Sequence, residues 1–153
     1  MEGVNKIFLV LGLMVVCGCT SINVPNYVKD ENPYQRSFYA PFEKVKAATD
    51  EALTEYGWTV IRESDPALFE VDRVSENGAQ PQTLMFTEIR QTNFFIGSKY
   101  TRLNAFLRPL PDGATQVEIR YLGISSILFK KSYQYRNDKA INRILDAIEE
   151  KIK

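Results

Sequence analysis

A chain of 153 residues, 44% hydrophobic and 12% aromatic, has the size and apolar content of one domain with a substantial core. Its 19 Lys+Arg balance 19 Asp+Glu, so it lacks the basic excess that binding to nucleic-acid phosphates demands. The absence of histidine removes imidazole bases, Ser-His and Cys-His nucleophile pairs and the commonest metal ligand.

The chain opens on a targeting signal. Residues 7–17, IFLVLGLMVVC, carry no charge and follow Lys6. They are too few to cross a bilayer, which takes about 20 residues in a helix. They fit the apolar region of a secretory signal, about 7–15 residues long and closed by a small residue. A buried N-terminal helix is the competing reading, but the segment is apolar on every side rather than along one stripe. The run ends Val16-Cys17-Gly18-Cys19. This resembles the lipobox of bacterial lipoproteins, with an aliphatic residue three before the cysteine and a small one directly before it. Cys17 fills the place where Ala, Ser or Thr is usual. It is itself a poor lipidation site, because bulky Val16 precedes it. The resemblance implies cleavage before Cys19, then a diacylglycerol thioether and an N-acyl chain on Cys19. Two or more chains anchor stably where one binds only marginally. Thr20 rather than Asp follows the cysteine, which implies an outer-membrane destination facing the periplasm in a diderm host. The 2 cysteines are one residue apart and would close no useful disulfide loop. The chain therefore divides into a signal peptide (1–18), a lipidated N-terminus and tether (19–33) and a single domain (34–153). The tether reading rests on the polar run 20–31, TSINVPNYVKDE; about 12 flexible residues reach roughly 20 Å. An edge strand over 22–28 is its alternative.

Residues 34–40 read as a short first strand. Pro41 suits a helix start. Phe42, Val45, Ala48, Ala52, Leu53 and Tyr56 recur at helical spacing up to Gly57, which predicts a helix over 41–56. The period then changes to two. Strands are predicted over 58–63, 68–74, 83–92, 99–110 and 114–125. An Asp65-Pro66 turn joins the first two as a hairpin, and Pro111-Asp112-Gly113 joins the last two. A second helix, capped by Asn137 or Asp138, carries the stripe Ile141, Ile144, Leu145, Ile148 and Ile152. The predicted fold class is α+β: an antiparallel meander of about five to six strands, with both helices packed on one face.

Glu70, Arg73, Glu88, Arg90, Arg102, Arg108, Glu118 and Arg120 fall in these strands, and a solvated, cross-paired sheet face is the expected reading. Two segments break the rule that loops are polar. Residues 93–98 hold Phe94, Phe95 and Ile96, and residues 126–129 hold Ile127, Leu128 and Phe129. They either fold inward or extend strands, or they form an exposed partner or membrane surface. The basic stretch 130–143 reads first as a solvated helix face and second as a contact for anionic lipid. No nucleophile motif, phosphate loop or metal-ligand spacing is present, so no catalytic residue, metal or cofactor is expected.

The order strand-Pro-helix-Gly-strand, carried by FYAPFEKVKAATDEALTEYGWTV, is similar to the opening of small envelope lipoproteins with a helix-grip arrangement, BamC-like in outline. With histidine absent and the charge balanced, the expected protein is non-enzymatic and membrane-anchored, its domain binding or scaffolding another envelope component, with the membrane and an envelope protein as partners and no nucleic acid. The alternative is a carrier of a small molecule or lipid, with Trp58, Phe86, Phe106 and Tyr121 lining a cavity between sheet and helix.

Overall fold

The computed structural model describes residues 22–70, 81–127 and 130–153. The elements run β1 (Tyr34–Phe38), α1 (Phe42–Glu55), β2 (Val60–Ser64), β3 (Thr83–Thr87), β4 (Arg90–Phe94), β5 (Gly97–Pro109), β6 (Thr115–Ile127), β7 (Lys130–Gln134) and α2 (Asp138–Ile152). The class is α+β, with one antiparallel sheet and an N-proximal and a C-terminal helix. The sheet has 7 strands in the order β1-β6-β5-β3-β2; β4 pairs with β5 and β7 with β6.

β5 and β6 organise the sheet. Each is 13 residues long, or roughly 44 Å at about 3.4 Å per residue. Neighbours of 5 residues cover only half that length. At the end nearest the β5–β6 turn the flanking strands are β1 and β3; at the other end they are β7 and β4. The expected single strand over 83–92 is therefore two strands, β3 and β4, which pair with successive halves of β5.

The odd-numbered residues of β5 and β6 face the helices. Leu103, Ala105 and Leu107 meet Val117, Ile119 and Tyr121, and Val45, Ala52, Leu53, Ile141, Ile144 and Ile148 close over them. Each fully buried side chain of this size adds about 1.5–3 kcal/mol, which makes this layer the main source of cohesion. Pro41 caps α1 from outside rather than sitting in its first turn. At the other end Gly57, at φ 76°, supplies the left-handed residue that stops the helix, and the Trp58 N–H donates to the Leu53 carbonyl at 2.8 Å. Asn137 caps α2 by accepting from the Ala140 N–H at 3.3 Å. Tyr34 latches β1 to that cap: its hydroxyl donates to Asp138 Oδ1 at 2.5 Å and accepts from the Asn137 N–H at 2.8 Å. Burial, followed by the bond to Asp138, raises the Tyr34 pKa above the ordinary phenol value.

One sequence expectation is corrected in part between β2 and β3. Residues 66–68 form a 3-10 turn, started by Asp65, whose carboxylate accepts from the Ala67 N–H at 2.9 Å. The start of the strand expected over 68–74 is thus replaced by a turn; its remainder, 71–74, lies outside the described residues. Among the described residues, β2 pairs with β3.

Candidate functional site

The middle of the second face of the sheet, from Arg102 to Phe106 and from Glu118 to Ile124, is buried, whereas Arg108 on the same face is exposed. Residues 22–28 run across it as a strap, with no regular secondary structure but with Val28 buried. The Val28 N–H donates to Asn104 Oδ1 at 2.6 Å, and Asn104 Nδ2 donates to the Asn26 carbonyl at 3.2 Å. Arg102 holds the next stretch, donating to the Pro25 carbonyl at 3.0 Å and to Asn26 Oδ1 at 2.6 Å. Ile22 and Val24 pack into a cluster with Val28, Leu122 and Ile124. Of the expected tether, the described part is therefore docked on the domain, and not as an edge strand. Cys19 and the signal region lie outside the described residues.

Beneath the strap sits a buried ion network. Glu118 and Arg120 are 1% and 3% exposed. Arg120 Nη2 donates to Glu118 Oε1 at 2.5 Å and Nη1 to Glu70 Oε1 at 2.7 Å, and Tyr27 bonds to both Arg120 and Glu70. Burial opposes the charge on Arg120, but the two carboxylates outweigh it and raise the pKa. Arg102, also buried, has its pKa lowered by burial and then by Arg62. The expectation that Glu118, Arg120 and Arg102 lie on a wet face is thus corrected: the strap and the ring of Phe69, stacked 5.3 Å from Tyr27, shut them from water. The crevice lined by Tyr27, Glu70, Leu84, Phe106 and Arg120 has no room for a water molecule. Both carboxylates serve as counter-ions to Arg120.

The four residues expected to line one cavity are parted by the sheet. Trp58 and Tyr121 belong to the layer under the helices, and Phe86 and Phe106 to a cluster with Leu84 on the strap side. Strand alternation separates them, since Tyr121 faces one way and Phe106 the other. Trp58 is capped by the Arg90 guanidinium, 4.7 Å above its ring.

The exposed apolar residues, in contrast, are gathered. β4 and β5 form a hairpin whose last pair is Phe94–Gly97, leaving Phe95 and Ile96 at the turn. Gly97 also pairs with Ile127, and Ile127 with Lys130. Two hairpin ends therefore lie side by side at one end of the sheet. Phe95 is fully exposed, and Phe94, Ile96 and Ile127 are 45%, 50% and 40% exposed. Leu128 and Phe129 lie outside the described residues. The approach is close: a Cβ on Gly97 would fall 2.1 Å from the Ser126 carbonyl oxygen, so only glycine allows these two ends to meet in this way. Residues 90–101 and 123–134 contain Arg90, Lys99, Lys130 and Lys131 and no Asp or Glu, although the whole chain is neutral. Residues 130–134 form the exposed strand β7 rather than the start of a helix.

The chain matches no family model, and no match among curated proteins was found. Among the described residues, no helix is long and apolar enough to cross a membrane.

Proposed function

We propose that the protein is a lipid-anchored, non-enzymatic component of a bacterial envelope, whose domain binds or scaffolds another envelope component through the end of the sheet formed by Phe94, Phe95, Ile96 and Ile127. The observation that carries the partner surface is the juxtaposition of two hairpin ends, whose large apolar side chains face water although the domain has a filled core to receive such residues. The carrier alternative has less support, because its four lining residues do not share a face.

The anchor rests on the apolar run 7–17 and the Val16-Cys17-Gly18-Cys19 sequence. Growth with labelled palmitate tests it. Label is expected in the wild-type chain, and Cys19→Ala should abolish it and leave an uncleaved precursor. Label in the Cys19→Ala chain would overturn the assignment.

A further inference from the structure

The exposed end of the sheet has one physical character throughout. Its tip is apolar, and the strands leading to it are cationic. Lys130 pairs with Ile127, and Lys99 pairs with Thr92 and Ser125, two residues back from the tip along each strand. The lysines thus stand roughly 3–7 Å behind the tip at about 3.4 Å per residue. Neither 90–101 nor 123–134 contains an Asp or Glu.

A second observation gives this end a direction. The strap has a definite polarity on the sheet. Val28 is fixed at the level of Asn104, and Pro25 and Asn26 at Arg102, two residues nearer the hairpin ends. Ile22 and Val24 then pack with Leu122 and Ile124. Followed toward its N-terminus, the strap climbs toward the Phe95 end. Three residues separate Ile22 from Cys19, a span of at most about 10 Å. Ile124 is likewise three residues short of Ile127, roughly 10 Å along the strand. Cys19 is therefore within reach of a bilayer that lies level with the hairpin ends.

We propose that the occupant of this surface is the bilayer itself: Phe95 and Ile96, with Phe94 and Ile127 behind them, dip into the interface of an anionic membrane, while Lys99 and Lys130 meet its head groups. This rests on the lipid-anchor reading for the identity of the membrane, and on the geometry of the domain for the mode of contact. The arrangement suits lipid better than a protein. Four apolar side chains at two turns make a narrow prow, far short of the roughly 20–30 residues per side of a stable protein interface. Cations of one sign behind an apolar tip match the negative surface potential of an anionic leaflet. With the N-terminus and the prow on the same bilayer, the domain stands fixed on its end instead of swinging on a tether.

The test places a photoreactive benzophenone side chain at position 95 of the full chain in native membranes, and at position 39 as control. Tyr39 is 84% exposed, next to the β1 end that pairs with Thr115, at the far end of β6. Mass spectrometry of the irradiated protein reads both the adduct and the state of Cys19. A phospholipid adduct is expected at 95 and not at 39. Lys99→Glu combined with Lys130→Glu is expected to reduce it by about tenfold or more, since each cation near an anionic surface contributes severalfold. A protein adduct at 95 would overturn the proposal in favour of a protein partner. Equal lipid labelling at 95 and 39, or none at 95, would also overturn it. Acylated Cys19 with no lipid adduct at 95 sinks the prow and leaves the anchor standing, whereas an unmodified chain in the soluble fraction sinks the anchor.

Discussion

Replacing Arg120 with methionine is expected to cost the domain about 3–5 kcal/mol, because removing one partner of a buried ion pair strands the other. Glu118 has no access to water at 1% exposure and would lose its guanidinium partner at 2.5 Å. Glu70 and Tyr27 would lose the same group. For a domain of this size that corresponds to a fall in Tm of roughly 10–20 °C in thermal denaturation. The double change Arg120→Met with Glu118→Leu should recover most of the loss, since apolar side chains of similar volume commonly replace buried ion pairs without penalty. Surface pairs offer the contrast. Lys151→Ala, which breaks contacts with Glu51 and Glu55 at the helix surface, should leave Tm almost unchanged. If Arg120→Met melted with the wild type, the network would not be buried as described.

Deleting residues 22–28 is the second large effect. A tether can be shortened at almost no thermodynamic cost. A strap cannot. Its loss would expose Leu122 and Ile124, remove the burial of Val28, and unstack Tyr27 from Phe69. It would also leave Asn104 and Arg102 without the backbone groups they now hold. Val28 alone accounts for about 1.5–2 kcal/mol of transfer free energy, and uncovering Leu122 and Ile124 adds up to about 1.5–3 kcal/mol each, while Asn104 and Arg102 are rehydrated. A total near 5 kcal/mol is expected, read as a lower urea midpoint with little change in the slope. A midpoint equal to that of the intact chain would return the segment to the status of a linker.

The helices were legible from sequence because their stripes are strict and their ends are marked by Pro41, Gly57 and Asn137. The β5–β6 hairpin was legible from alternation and from the Pro-Asp-Gly turn, where Asp112 accepts from the Ala114 N–H. The strap was not. Its apolar residues, Ile22, Val24, Tyr27 and Val28, are interrupted by Asn23, Pro25 and Asn26, so they follow neither a strand nor a helix period. What it covers also misled, because Arg102, Glu118 and Arg120 in alternating strands have the pattern of a wet face, and only their mutual pairing makes burial tolerable. A signal did exist. Leu122 and Ile124 are large apolar residues on the face opposite Ile119 and Tyr121, which means that β6 is covered on both sides. β7 escaped notice because KKSYQ is exposed throughout and has no buried face to impose a period. The hairpin ends were found by their residue types, but their adjacency depends on the register of β5 with β4 and β6, which no local pattern encodes.

The account depends on the strap, since it both seals the ion network and aims the N-terminus at the prow. Amide hydrogen exchange at Val28 measures it most directly. The Val28 N–H donates to a buried Asn104 side chain at 2.6 Å, and it should exchange as slowly as the central amides of β5 and β6. Exchange at the rate of an unstructured chain would contradict the strap, and with it the proposal that the N-terminus and the Phe95 end meet one bilayer.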